Sequence, residues 1–235
     1  MNIIINETLI KRNAKIAQFS MIGGLIVLAG GMVLSFSPNY ARYFYLSLLA
    51  LLFGFILSQI GIYFTNRFGR RPRPDEQLNQ ALKGLDGKYS IYHYMTPVPH
   101  LLVGPSGVWI LLPRSQKGRI TFVNNRWKQI GGSIYLKIFA QESLGRPDLD
   151  LVSDKEKLAQ YFQNNLPELE IPPIQAALVF TNPAVNIDIP EEADPPAVTV
   201  TGDKLKEAVR KVAKSKPINQ QTLEQIFDVL PEESK

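Results

Sequence analysis

In 235 residues, 45% of them apolar, the chain contains no cysteine, which excludes disulfides, thiol catalysis and cysteine-ligated zinc. Its formal charge of +5 would suggest a nucleic-acid partner if it were spread along the chain. Residues 1–77 hold 8 Lys+Arg against 3 Asp+Glu, whereas residues 78–235 hold 18 of each, so the whole excess sits in the first third and the remainder is neutral.

That first third carries two apolar runs without a charged residue, Phe19 to Phe36 and Tyr43 to Phe64. At about 1.5 Å per residue they reach about 27 and 33 Å as helices, against a hydrocarbon core of about 30 Å. The connection SPNYAR is too short for anything but an antiparallel hairpin. Soluble core helices keep a polar stripe, and these runs have only isolated Ser, Gln and Gly. The expected organisation is therefore a cytoplasmic segment over 1–17 and a transmembrane hairpin over 18–66.

Lys11, Arg12 and Lys15 precede the first span and Arg67, Arg70, Arg71 and Arg73 follow the second, while the connection holds only Arg42. Cations concentrate on the cytoplasmic side, which predicts a multi-pass membrane protein with both termini cytoplasmic. Tyr40, Tyr43 and Tyr45 fall at the outer headgroup level and Tyr63 at the inner one. The same cations explain the charge excess through topology and attraction to anionic lipid. Glycines recur seven apart (Gly23 and Gly30, Gly24 and Gly31, Gly54 and Gly61), which narrows one helix face for close packing against the other span or against another subunit of a membrane complex.

Beyond the arginines, Leu78, Ala81, Leu82 and Leu85 have helical spacing, with Pro74 or Asp75 at the start and Gly84 or Gly87 at the end. Strands are expected at 89–95, 100–104, 108–113 and 118–123, together an antiparallel meander in which GPSG (104–107) is a turn. Trp127 and SIYLKIF (133–139) suggest a further strand. A helix follows from Pro147 to about Asn165, then a buried strand at 176–181, a proline- and acid-rich loop over 182–196, a strand at 197–201, and helices at about 203–215 and 219–230. The stripe Ile218, Leu223, Ile226, Phe227 and Leu230 on the last helix reads as core cover. The fold class is α/β with a mixed sheet, about 150 residues around one core.

No phosphate-binding glycine loop or nucleophile elbow is present, and His93 and His100, the only histidines, lack metal-ligand spacing and read as structural or surface residues. The succession DEQLNQALKGLDGKYSIYHY, HLLVGPSGVWILL and then GRI with a nearby Trp resembles the nuclease-related domain (NERD) family, over about residues 74–215, with 216–235 as a C-terminal amphipathic helix and tail. The resemblance implies a restriction-endonuclease-like fold. In nuclease-like members it also implies an Asp before the HLLVGPSG-like strand and a Glu-x-Lys ending the next, the carboxylates holding Mg²⁺ and the Lys activating water.

In this chain those positions are Pro99, Leu112 and Arg114. Proline and leucine offer no metal ligand, and arginine cannot act as a base. Only Glu76, matching an acid on the family's first helix, is retained, with Asp86, Asp148 and Asp150 the nearest acids that could substitute. The resemblance therefore implies a membrane-anchored binding or scaffolding module with its nuclease chemistry lost and no cofactor. Its alternatives are a Mg²⁺-dependent nuclease or nucleic-acid binder with a rearranged site, or an accessory subunit of a membrane complex. The expected partner is the lipid bilayer, joined by other membrane-protein subunits in the last reading, with nucleic acid disfavoured; the short loops and the resemblance together imply a prokaryotic plasma (inner) membrane.

Overall fold

The structure, a computed structural model, describes residues 1–131 and 143–232. The SIYLKIF segment lies outside the described residues, as does the side chain of Tyr40. The chain divides into two units: a helical one from Glu7 to Arg73, and an α/β one that joins residues 1–6 to the chain from Pro74 onward.

In the helical unit, α1 (Glu7–Ser35) and α2 (Tyr40–Phe64) pair antiparallel, and both are long and apolar enough to cross a membrane. A π-helical turn (Thr65–Gly69) continues α2 and packs on α1. Helix α1 begins three turns earlier than its apolar run because Glu7 to Gln18 keeps an inward stripe: Ile10, Asn13 and Ala17 are buried in phase with Gly24 and Gly31. The glycines divide by face. A Cβ at Gly24 would lie 2.9 Å from the Ser58 backbone N, at Gly54 2.9 Å from that of Leu28, and at Gly61 2.8 Å from that of Met21, so backbone meets backbone there. Gly31 opposes Ala50 and Leu51, whereas Gly23 and Gly30 face open space. Ser35 and Ser47 share a hydrogen bond of 2.8 Å across the pair. The outward surface is apolar, with Phe19, Leu25 and Val33 each about 70% exposed.

The α/β unit is built on a six-stranded mixed sheet in the order β1-β2-β3-β4-β7-β9. Its strands are β1 (Asn2–Ile5), β2 (Ser90–His93), β3 (His100–Gly104), β4 (Gly107–Arg114), β7 (Gln175–Phe180) and β9 (Val198–Thr201). All are parallel except β3, so the carboxyl ends of five strands line one edge. Helices cover both faces. Leu101, Ile110, Leu112 and Leu178 pack with α4 (Pro147–Asn165) and α6 (Gln220–Val229), while Leu102, Trp109, Leu111 and Val179 pack with α3 (Pro74–Ala81) and α5 (Gly202–Ser215). Burial on both faces is why β4 and β7 read as unbroken apolar runs.

Three expectations change. The meander ends after β4: the slot beside β4 goes to the parallel strand β7, and β5 (Gly118–Val123) turns away at Gly118 (φ +94) into a second sheet, β6-β5-β8. There it pairs with β6 (Arg126–Ile130) and with β8 (Val185–Ile187), a strand inside the supposed loop 182–196. Residues 2–5, read as part of a cytoplasmic segment, form an edge strand of the main sheet, so in chain order the hairpin interrupts the α/β unit rather than preceding it. The last helix covers the core as its apolar stripe indicates: Ile226 and Leu230 are buried, and Ile218, Leu223 and Phe227 pack beside them.

Candidate functional site

The hairpin GPSG closes β3 onto β4 with Gly104 opposite Gly107; Gly107 has φ +90, and the Trp109 indole N–H donates to the Ser106 carbonyl at 3.1 Å. This is a turn, and its polar groups are spent on the fold.

At the carboxyl edge of the sheet, where open α/β sheets place ligands, the positions assigned by family resemblance separate. The Pro99 carbonyl accepts a backbone hydrogen bond from Tyr94 at 2.8 Å within the β2–β3 connection. Leu112 is buried on the face covered by α4 and α6, whereas Glu76 lies on α3, which covers the opposite face. Arg114 ends β4 with its guanidinium 2.6 Å from the Asp150 carboxylate. Asp148 is held by Arg146 at 2.7 Å, and that hydrogen bond keeps its carboxyl below the ordinary range. Asp86 accepts from the Lys88 backbone at 2.5 Å. The substitute acids are thus engaged locally, and among the described residues no group of three or more His, Asp or Glu could hold a metal.

The two histidines, expected to be structural or surface residues, sit together in the sheet. His93 ends β2 and His100 opens β3, directly opposite in register, and their Nδ1 atoms are 2.8 Å apart. Both are buried, so neither is a surface residue. Asn79 of α3 presents Oδ1 3.0 Å from His93 Nε2. Asn79, His93 and His100 thus form one hydrogen-bonded series, and at the Nδ1–Nδ1 contact one ring donates while the other accepts. Tyr94, at φ +58, stacks edge-on with His100, and its carbonyl accepts from the Asn6 side chain at 3.3 Å. The chain therefore leaves β1 beside this cluster. A signal existed: a six-residue connection between strands that end and begin in His sets the two residues opposite each other, where the rings meet edge-on.

In the helical unit, antiparallel pairing brings Lys11, Arg12 and Lys15 to the end of the pair that also carries Arg67 and Arg70, all exposed. Arg71 is exposed as well, and Arg73 is buried. The Arg67 guanidinium stands 4.4 Å over the Tyr63 ring.

No family model matches the chain, and neither a curated protein nor a solved structure matches it.

Proposed function

We propose that the chain is a plasma-membrane protein of prokaryotic type in which the hairpin anchors a degenerate nuclease-related, restriction-endonuclease-like α/β unit as a non-catalytic binding or scaffolding module at the cytoplasmic face. The observation that carries this reading is the fate of the family's metal positions: Leu112 is a core residue and Arg114 is paired to Asp150. Exposed apolar surface around the whole helical pair supports the anchor, since a soluble protein would bury it. The pairing of β1 with β2 supports a common side for both termini. Residues 2–5 precede the first span yet pair with a strand of the unit that follows the second, an arrangement consistent with a hairpin that returns to the side it left.

The test incubates the purified full chain with Mg²⁺ and single- or double-stranded DNA or RNA. No cleavage is expected, and cleavage abolished by Glu76→Ala would overturn the non-catalytic reading. Because the chain has no cysteine, single cysteines at Arg42 and Lys15 report topology by impermeant-thiol labelling of intact cells; labelling is expected at position 42 alone.

A further inference from the structure

We infer that Lys11, Arg12, Lys15, Arg67 and Arg70, at one end of the helical pair, form a binding surface for anionic phospholipid headgroups. The inference rests on the membrane reading above and names the lipid chemistry at its inner face.

The five cations come from two segments that the fold brings together. On α1, Lys11, Arg12 and Lys15 stand opposite the buried stripe of Ile10, Asn13 and Ala17, so they project away from the partner helix. On the other segment, the π-helical turn closes with the Arg70 backbone N–H donating to the Thr65 carbonyl at 2.8 Å. It turns Phe68 inward, stacked on Phe64, and leaves Arg67 and Arg70 outside. Such turns recur where a helix re-aims side chains for function. Between residues 7 and 73 the only acid is Glu7, against eight Lys and Arg.

The surroundings select the partner. Lys15 stands four residues, about 6 Å along the helix, before the exposed Phe19, and Arg67 lies three residues beyond Phe64. The Tyr63 ring beneath the Arg67 guanidinium holds that cation at the polar–apolar boundary, which is the arrangement of a headgroup layer over acyl chains. A nucleic acid would meet the same phosphate-binding groups but would face the apolar shaft with nothing to cover it. Anionic lipid satisfies both parts at once.

The test reconstitutes the full chain in nanodiscs of mixed phosphatidylcholine and phosphatidylglycerol, followed by mild detergent extraction and mass spectrometry of the retained lipid. Orientation is immaterial there because both faces are open. Phosphatidylglycerol is expected to be enriched several-fold over its bulk share, to fall to that share in the variant K11Q/R12Q/K15Q/R67Q/R70Q, and to stay enriched in the charge-keeping variant K11R/R12K/K15R/R67K/R70K. Bulk composition with the parent chain, or undiminished enrichment in the neutral variant, would overturn the inference. So would binding of a single-stranded oligonucleotide to the parent in pure phosphatidylcholine discs without lipid enrichment. Alkaline carbonate extraction separates the two readings: release of the chain from membranes defeats the anchor itself, whereas a retained chain without lipid preference defeats only the headgroup surface.

Discussion

His93 and His100 share one hydrogen bond between their Nδ1 atoms across adjacent antiparallel strands, in a site closed to solvent. One imidazole donates and the other accepts, so each is needed to satisfy its neighbour. Replacing His100 by Ala leaves the buried His93 Nδ1 without that hydrogen bond, at a cost of about 1–3 kcal/mol. Both tryptophans, Trp109 and Trp127, lie in the α/β unit, so urea unfolding of the full chain followed by their fluorescence reads this unit. An unchanged midpoint in His100→Ala would contradict the pair's structural role.

Gly54 and Gly30 make a matched comparison inside the helical pair. A side chain at Gly54 would press on the Leu28 backbone, whereas one at Gly30 enters open space. Gly54→Val is expected to force the helices apart and cost about 1–3 kcal/mol, while Gly30→Val leaves packing unchanged. Spin labels on α1 and α2, with distances from pulsed electron resonance, would show a broadened separation in the first variant only.

Strand β1 gives a second comparison between neighbours. Ile4 is 8% exposed and belongs to the core shared with α4 and α6, whereas Ile3 is 45% exposed. Ile4→Ala should lower the stability of the α/β unit by about 2–4 kcal/mol and Ile3→Ala by about 0.5 kcal/mol or less. Equal midpoints for the two variants would mean that the residues before the first apolar helix do not belong to the sheet.

Asp154 lies on the buried face of α4, and burial raises its carboxyl pKa, with Lys157 at 3.5 Å pulling the other way. The folded state then holds its proton to higher pH than the unfolded chain does. Stability falls as pH rises from the unfolded to the folded pKa, and the loss is complete above it. Asp154→Asn should therefore be the more stable protein at pH 7, with the difference closing below the ordinary carboxylate range. A parent that outlasts the variant at pH 7 would reverse the sign and make the Lys157 ion pair the dominant effect.

Elements whose signal is local were legible from the sequence. The apolar runs, the helix from Pro147 to Asn165 and the amphipathic closing helices follow from the period of their apolar residues, because each hydrogen-bonds within itself. The GPSG turn is equally local. Strand partners are different, since a strand's edges are satisfied only by residues distant in the chain. Nothing in NIII before a long helix announces that it pairs with SIYH some ninety residues later, and nothing in GRITFV reveals that β7 occupies the position beside β4. For the candidate sites, the residue types told their own story at Pro99, Leu112 and Arg114, where side-chain chemistry alone removes metal ligation. The tertiary structure decided what no spacing rule contained: that Glu76 and Leu112 belong to opposite faces of one sheet, that four glycines of the hairpin face its own partner helix while Gly23 and Gly30 do not, and that two histidines seven residues apart meet because antiparallel register sets them opposite each other.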